Sequence, residues 1–541
     1  MADQFETLGQ LLERNANLYS KNVAIVSGER RITYGELKSK VDKLAKGFLA
    51  LGIKKADRVA LLMDNRPEWI MVDFALGKIG AVLVPINIRY RENELNYILN
   101  HSGSSVLIMI DRFHETDFVD LLVGLYPEVS KLEKGMLELT KLPHLKYIFC
   151  LSDQKFPGIY SYEEILQRGE DVPLDQVIST QKNVNPQDIA NILYTSGTTA
   201  FPKGVMLTHS NICKNGKNIA KRLHIDDKDK LWAPIPLFFS FGCITVLISG
   251  FAEAACIVLQ QYFEPGEALR LIEKERCSVM FAMPTMYLPM IEHPYFKGCH
   301  LSSLRTGSIM GSSENIRKVI EEMGVAQINT GYGMTETSAL CSLTDSDDPS
   351  EVRMNTAGRP FPGVTVVIKD YESGKLLPRE EQGEICVKGY NVTQGYYNDP
   401  ERTSAAFDEE GFLHSGDIGL ITQEGHLKFM GRYKDMLKTS GINVSVLEVE
   451  HFLETHPDVK EAYVVGIPDK VKEEVGVAFV KLVVGSNCTE TDIINYCKGK
   501  IASYKIPKRV RFVSVFPLTA SGKVQKFKLR ESALKESGFE N

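Results

Sequence analysis

Apolar residues three and four apart run through YGELKSKVDKLAKGFLAL, residues 34–51, and predict an amphipathic helix there. The run RVALLM that begins at Arg58 is continuously apolar after its first residue and reads as a short buried strand. Helical spacing returns over 68–80, and AVLVPI, from Ala81, is strand again. Strands alternating with helices of this length argue for βαβ units and a largely parallel sheet. The pattern breaks over 128–184, which is charged, contains prolines and predicts no regular element, and it resumes from Asp188 to about residue 340. The stretch 357–430 is rich in glycine and short alternating strands (TVVIK, GEICVK, HLKFM), which suits a distorted β-barrel or a small antiparallel sheet. From Lys434 onward the order is helix 446–454, strand 459–467, strand 475–483 and helix 491–500, a compact α+β unit.

The expected fold is therefore α/β. A large N-terminal domain (1–433) holds βαβ sheet layers and a small β-barrel-like subdomain at about 357–430. An α+β domain (434–541) follows, with the boundary placed at Lys434. The 541 residues carry 43% hydrophobic and 24% charged residues and a formal net charge of −6, which disfavours a disordered chain and a general nucleic-acid binder. No basic and apolar leader pattern is visible at the start. The most apolar stretch, 244–259, is interrupted by Ser249, Gly250 and Glu253 and reads as core rather than membrane span. Ten cysteines without a CxxC pair read as small apolar residues in a reducing compartment, so the expected location is cytoplasmic.

The segment YTSGTTAFPKG (194–204) follows an apolar strand-like run and precedes what reads as a helix. Hydroxyls and free backbone N–H groups in a tight loop make a concave anion site, and Lys203 adds a mobile positive charge. It is not a Walker A loop, because Pro202 and Gly204 flank the lysine. GYGMTET (331–337) joins an aromatic ring to a hydroxyl and a carboxylate suited to Mg²⁺. HSGD (414–417) places a carboxylate in a turn, GRYKDMLKTSG (431–441) is basic and bounded by glycine, and PLTASGKVQK (517–526) is a Gly-Lys turn. The 194–204 loop is the strongest of these signals; each of the other four alone would pass for a structural turn, a cap or a linker.

In this order and spacing the segments resemble the adenylate-forming (ANL) superfamily of AMP-forming acyl-CoA synthetases, adenylation domains and firefly-type luciferases. The resemblance runs through the whole chain. It implies ATP-dependent activation of a carboxylic acid as acyl-AMP, then transfer to CoA, with ATP, Mg²⁺ and CoA as co-substrates and cofactor. By the family's pattern Thr195, Ser196, Gly197, Thr198, Thr199 and Lys203 would cradle phosphates, and Tyr332 would stack on adenine. Thr335 would contact phosphate, Glu336 would hold the metal, and Asp417 with Arg432 would take the ribose. Lys523 would bridge the attacking carboxylate and the α-phosphate, Lys434 would be the hinge, and Lys438, Ser440 and Gly441 would line the CoA side.

The acid pocket would be formed by Phe239, Phe241, Met283, Ile309, Met310, Gly333 and Met334, all apolar or small. No Asp occurs between Pro234 and Ala252 to hold a substrate ammonium, so an amino acid is disfavoured and an uncharged hydrophobic acid expected, medium-chain aliphatic or cyclic. Four positions depart from the pattern: Ala200 for Gly, Ser415 for Thr, Val446 for Pro, and Phe239 where many fatty acyl-CoA synthetases have His, which looks more like benzoate-type CoA ligases. Handover to a carrier-protein pantetheine instead of CoA is the alternative. The expected partners are small molecules, with no nucleic acid and no membrane span, as a monomer or homodimer.

Overall fold

In the computed structural model the described residues are 7–131, 137–195, 202–433, 436–439, 442–469, 473–498, 500–501, 503–518 and 523–536. The chain divides into two compact units. One comprises 1–311, 315–365 and 387–413; the other comprises 312–314, 366–386 and 414–541.

The first unit is built on two seven-stranded sheets. One runs in the order Gln327–Asn329, Thr306–Ile309, Val279–Ala282, Lys230–Ala233, Cys256–Leu259, Val23–Ser27, Arg30–Thr33. It is parallel except for the final hairpin. The other runs Lys203–Thr208, Ile189–Thr195, Val82–Pro85, Arg58–Leu62, Val106–Ile110, Tyr147–Leu151, Tyr160–Ser161. Here too a single antiparallel pair, Lys203–Thr208 with Ile189–Thr195, closes an edge of a parallel sheet.

Local signals account for most boundaries. The predicted amphipathic helix is Tyr34–Ala50, started by a capping box between Thr33 and Glu36. The next is Pro67–Ile79, with proline at its first position and Gly80 at φ 74° ending it. That second helix is buried almost all round, because it lies inside the unit rather than on its surface. The stretch 128–184 is more ordered than its composition predicts. It supplies strand Tyr147–Leu151 and helices Tyr162–Arg168 and Leu174–Lys182. Helix Leu174–Lys182 buries only Val177, so it carries almost no apolar stripe to read. The reading of a helix directly after Lys203 is corrected: Lys203–Thr208 is a strand, and the helix begins at His209 behind a Thr208–Asn211 capping box.

Helix Pro67–Ile79 also buries Asp73, at 2% exposure. Its Oδ1 finds no hydrogen-bond partner among the described residues. Burial raises the Asp73 carboxyl from 3.8 to about 7, opposed by a hydrogen bond with Asn191.

The glycine-rich stretch forms a four-stranded sheet, Val364–Lys369, Gly383–Gly389, Leu413–Ile421, Leu427–Arg432; its residues 366–386 and 414–430 belong to the second unit, with the C-terminal elements. The latter form a five-stranded sheet centred on the antiparallel pair Val459–Asp469 and Glu473–Leu482. Helices Val446–Glu454, Glu490–Cys497 and Lys526–Glu536 complete it. The ten cysteines are free thiols, eight of them buried. No described helix is long and apolar enough to cross a membrane.

Candidate active site

The phosphate-loop segment closes a β-hairpin. Thr195 pairs with Lys203 and Tyr194 with Gly204, so residues 196–202 connect the ends of two antiparallel strands. Ser196, Gly197, Thr198, Thr199 and Ala200 lie outside the described residues. Lys203 Nζ sits 4.7 Å from the centroid of the Tyr396 ring, a cation–π contact. The Tyr396 hydroxyl donates at 2.9 Å to Oε1 of Glu336, which is buried. Burial and the Glu336 charge both push the Tyr396 phenol above its usual range, so it stays a donor. The backbone adds the same connection: Thr393 N–H donates to the Glu336 carbonyl at 2.8 Å, and Tyr397 N–H to the Gly204 carbonyl at 2.7 Å. Segment 393–397 therefore ties the hairpin to the GYGMTET turn. Tyr396 was not singled out from the sequence.

The GYGMTET segment is a short strand, Gly331–Tyr332, followed by a 3₁₀ turn, Thr335–Thr337. A Cβ on Gly333 would lie 2.1 Å from the Ala339 carbonyl oxygen, so only glycine lets the two backbones meet. Ser338 and Ala339 are left-handed, at φ 54° and 79°, a conformation that costs about 1 kcal/mol or more per residue. Two buried amides hold it. Asn215 Nδ2 donates to the carbonyls of Ser338 (2.6 Å) and Leu340 (2.8 Å), and Asn391 Nδ2 to those of Thr337 (3.1 Å) and Leu340 (3.2 Å). Thr335 Oγ1 lies 3.3 Å from Ser240 Oγ, which brings this turn to the Phe239–Phe241 segment. Tyr332 is mostly buried.

Residues 241–248 form a π-helix, a rare geometry common at functional sites. Asn65 fixes the approach to it, its Nδ2 donating to the Ile235 carbonyl (3.0 Å) and its Oδ1 accepting from Leu237 N–H (2.9 Å). Leu237, Phe238 and Gly242 are buried, whereas Phe239, Ser240 and Phe241 keep partial exposure. Met283, Met310, Gly333 and Met334 are likewise partly exposed. Ile309 is not: it is fully buried in the core with Ala282, Tyr287 and Met290. Of the seven expected acid-pocket residues, the structure thus places Ile309 in the core while the other six keep partial exposure. The strand that carries Ile309, Thr306–Ile309, is paired on both sides in a parallel sheet and buried along its whole length.

In the second unit Asp417 and Arg432 are cross-strand partners, with Arg432 Nε 3.2 Å from Asp417 Oδ1. The turn that aims Asp417 is built by a residue the motif reading missed. Buried Glu384 accepts from Gly416 N–H at 2.8 Å through Oε1 and meets His414 Nδ1 at 2.7 Å through Oε2. Ser415 Oγ donates to the Ile385 carbonyl (2.6 Å) and accepts from Asp417 N–H (3.0 Å), a role that needs a hydroxyl, not threonine's methyl. Glu384→Ala is expected to cost about 2–3 kcal/mol, since it orphans a backbone N–H and removes the carboxylate from the His414 ring, and to lower the urea midpoint accordingly. Val446, the third departure, is the first residue of its helix, and Ser445 caps it, accepting from Glu448 N–H at 3.3 Å.

Lys434, Ser440 and Gly441 lie outside the described residues, and for Lys438 only the backbone, in strand Leu437–Thr439, is described. Lys523 is exposed, next to Val524, which bridges Leu518. Gln525 closes the same turn, its N–H on the Pro517 carbonyl (2.8 Å) and its side chain on the Leu518 carbonyl (2.9 Å).

Comparison with known proteins agrees with this layout. Residues 12–397 match the family described as AMP-binding enzyme, and 448–523 match the AMP-binding enzyme C-terminal domain. The chain belongs to this family. A Bacillus subtilis (strain 168) protein assigned as an acyl-CoA synthetase, YngI, is 38% identical over 98% of this chain and 97% of its own. The mitochondrial medium-chain acyl-CoA ligase ACSF2 of Bos taurus is 33% identical over 97% of this chain and 87% of its own. Among solved structures, the anthranilate CoA ligase AuaEII in complex with anthranoyl-AMP superposes with a TM-score of 0.87 at 26% identity, covering 99% of each chain. Family members of this kind share the α/β body and separate C-terminal domain seen here.

Proposed function

We propose that this chain is an AMP-forming acid–CoA ligase acting on an uncharged hydrophobic acid, medium-chain aliphatic or cyclic. The observation that carries the reading is the Lys203–Tyr396–Glu336 arrangement at the base of the hairpin: a cation and a buried carboxylate joined through one tyrosine, beside a hydroxyl-rich loop. Such a pair can receive a polyphosphate and its counter-ion together. Glu336 offers a hard carboxylate oxygen, the donor that Mg²⁺ prefers, and bound there the ion would offset the charge of the β- and γ-phosphates.

In this reading an acid carboxylate oxygen attacks the α-phosphorus of ATP, the bond to the β-phosphate breaks, and pyrophosphate leaves. The CoA thiol then loses its proton and attacks the acyl carbon, and AMP departs. No protein nucleophile takes part, so positioning and charge stabilisation supply the rate. Tyr332 takes the adenine, Asp417 the ribose hydroxyls with Arg432 beside it, and Lys523 the α-phosphate region. Lys434 is the hinge about which residues 434–541 turn between the two half-reactions, which exchanges Lys523 for the Lys438–Gly441 segment. Partial exposure of Phe239, Phe241, Met283, Met310 and Met334 supports an apolar acid site, and their mixture of rings and adaptable thioethers suits either acid shape. The names of the relatives, a medium-chain ligase and an anthranilate ligase, fall on the same two classes.

Pyrophosphate release across a panel of fatty, alicyclic and aryl acids, with and without CoA, tests the reading. The expected result is acid-dependent release with thioester formed only when CoA is added. Acid-independent release, or none with any hydrophobic acid, overturns it. Full turnover with a pantetheinylated carrier protein and none with CoA would replace CoA as the acceptor.

A further inference from the structure

The opposite face of the hairpin base carries a second set of contacts that the proposed chemistry leaves unused. Tyr194 precedes Thr195, and it pairs across the hairpin with Gly204, next to Lys203. A Cβ on Gly204 would lie 2.9 Å from Ile192 Cγ2, 3.3 Å from Tyr194 Cζ and 3.4 Å from Tyr397 Cβ, so Ile192 and the two tyrosines close over the bare Gly204 backbone. The Tyr194 hydroxyl is hydrogen-bonded at 2.7 Å to Nδ1 of His101, at the end of helix Glu92–Ser102. The His101 ring is itself fixed on three sides. It stacks on Tyr97 (centroids 5.2 Å apart, planes 22°) and meets Tyr194 (5.7 Å) and Tyr397 (5.9 Å) edge-on.

We propose that His101 is a positioning residue for the phosphate hairpin: through its bond to the Tyr194 hydroxyl it fixes the Tyr194 ring over Gly204 and so sets the direction of Thr195 and Lys203. The inference rests on the nucleotide-binding reading above. Its physical basis is that a β-hairpin whose connection must wrap a polyanion gains from a rigid base, because flexibility there is lost again on binding. Tyr396 and Tyr397 are adjacent and reach the two faces of the same strand, one to Glu336 and Lys203, the other to His101 and Gly204. The hairpin base is therefore clamped from both sides. Burial lowers the basicity of His101, against the pull of Asp399, which favours the neutral ring able to accept from the phenol.

The test is calorimetric ATP binding to the full chain, without acid, for wild type, Tyr194→Phe, His101→Ala and His101→Asn, with Tm recorded for each. His101→Ala and Tyr194→Phe are expected to bind ATP about five- to tenfold more weakly, and His101→Asn, whose Oδ1 stands near the lost Nδ1, within about twofold of wild type. Binding by His101→Ala within about twofold of wild type overturns the inference. So does a lowered Tm with unchanged ATP affinity, or failure of asparagine to restore what alanine loses. Failure of the wild type itself to bind ATP would overturn the nucleotide reading and this inference with it, whereas tight wild-type binding with an unaffected alanine variant overturns this one alone.

Discussion

Replacing Lys523 by alanine is expected to slow acyl-adenylate formation by 10²–10³-fold while leaving thioester formation from supplied acyl-AMP within a few-fold of wild type. The size follows from the charge problem: a carboxylate approaches an already anionic phosphate, and one preorganised cation at that point is worth about 3–4 kcal/mol in the transition state. The asymmetry follows from the second step, which begins from a mixed anhydride and needs no charge at the α-phosphate beyond what AMP carries away. Lys523 lies in a turn whose ends are closed by Gln525 and the Leu518–Val524 bridge, and the following helix is tied down by Lys526 on buried Glu450 at 2.7 Å. Removing the exposed ammonium should therefore leave the fold intact, which a Tm unchanged from wild type would document. Lys523→Arg should recover only part of the loss, because a planar guanidinium presents its charge differently from an ammonium. Acid-dependent ATP–pyrophosphate exchange reports the first step and AMP release from acyl-AMP plus CoA the second. Equal losses in both would overturn the assignment.

Asp73→Asn should make the protein more stable at pH 8, by up to about 4 kcal/mol, with the gain vanishing toward pH 4. In the folded chain the Asp73 carboxyl is raised from 3.8 to about 7 by burial. Below about pH 4 both folded and unfolded chains hold the proton and the residue costs nothing through ionisation. Between about pH 4 and 7 the unfolded chain gives the proton up while the folded chain keeps it, so stability falls with rising pH; above about 7 the penalty is complete. Asparagine keeps the shape and removes the ionisation. Tm or urea midpoints of wild type and variant at pH 5, 6, 7 and 8 should diverge as pH rises. A gap that does not change with pH would mean that Asp73 is ionised, or satisfied, in the folded state.

The βαβ alternation, the amphipathic helix at Tyr34–Ala50 and helix Val446–Glu454 were legible because one face or one run carries the apolar residues and a cap marks the end. Helix Leu174–Lys182 was not, since a helix that buries one valine looks like a loop. The strand Lys203–Thr208 was misread as helix for a related reason. Its residues KGVMLT are too few to show a period, and what makes them a strand is pairing with Ile189–Thr195. Ile309 illustrates the same limit: its neighbour Met310 keeps partial exposure, yet Ile309 itself is sealed in the core, which only the packing around its strand decides.

By itself the chain's sequence determined the family and the order and residue types of the segments proposed to serve phosphate, ribose, metal and acid. Those properties depend on identity and spacing, which are local. Only the tertiary structure decided which residues make them usable: Tyr396 between Lys203 and Glu336, Asn215 and Asn391 under a left-handed turn, Glu384 behind Asp417, and His101 behind Tyr194. Each of these acts across a long sequence separation through a hydrogen bond or ring contact. A single tyrosine, asparagine or glutamate in a loop carries no pattern that announces its partner, so the supporting shell becomes visible only when the fold has closed around it.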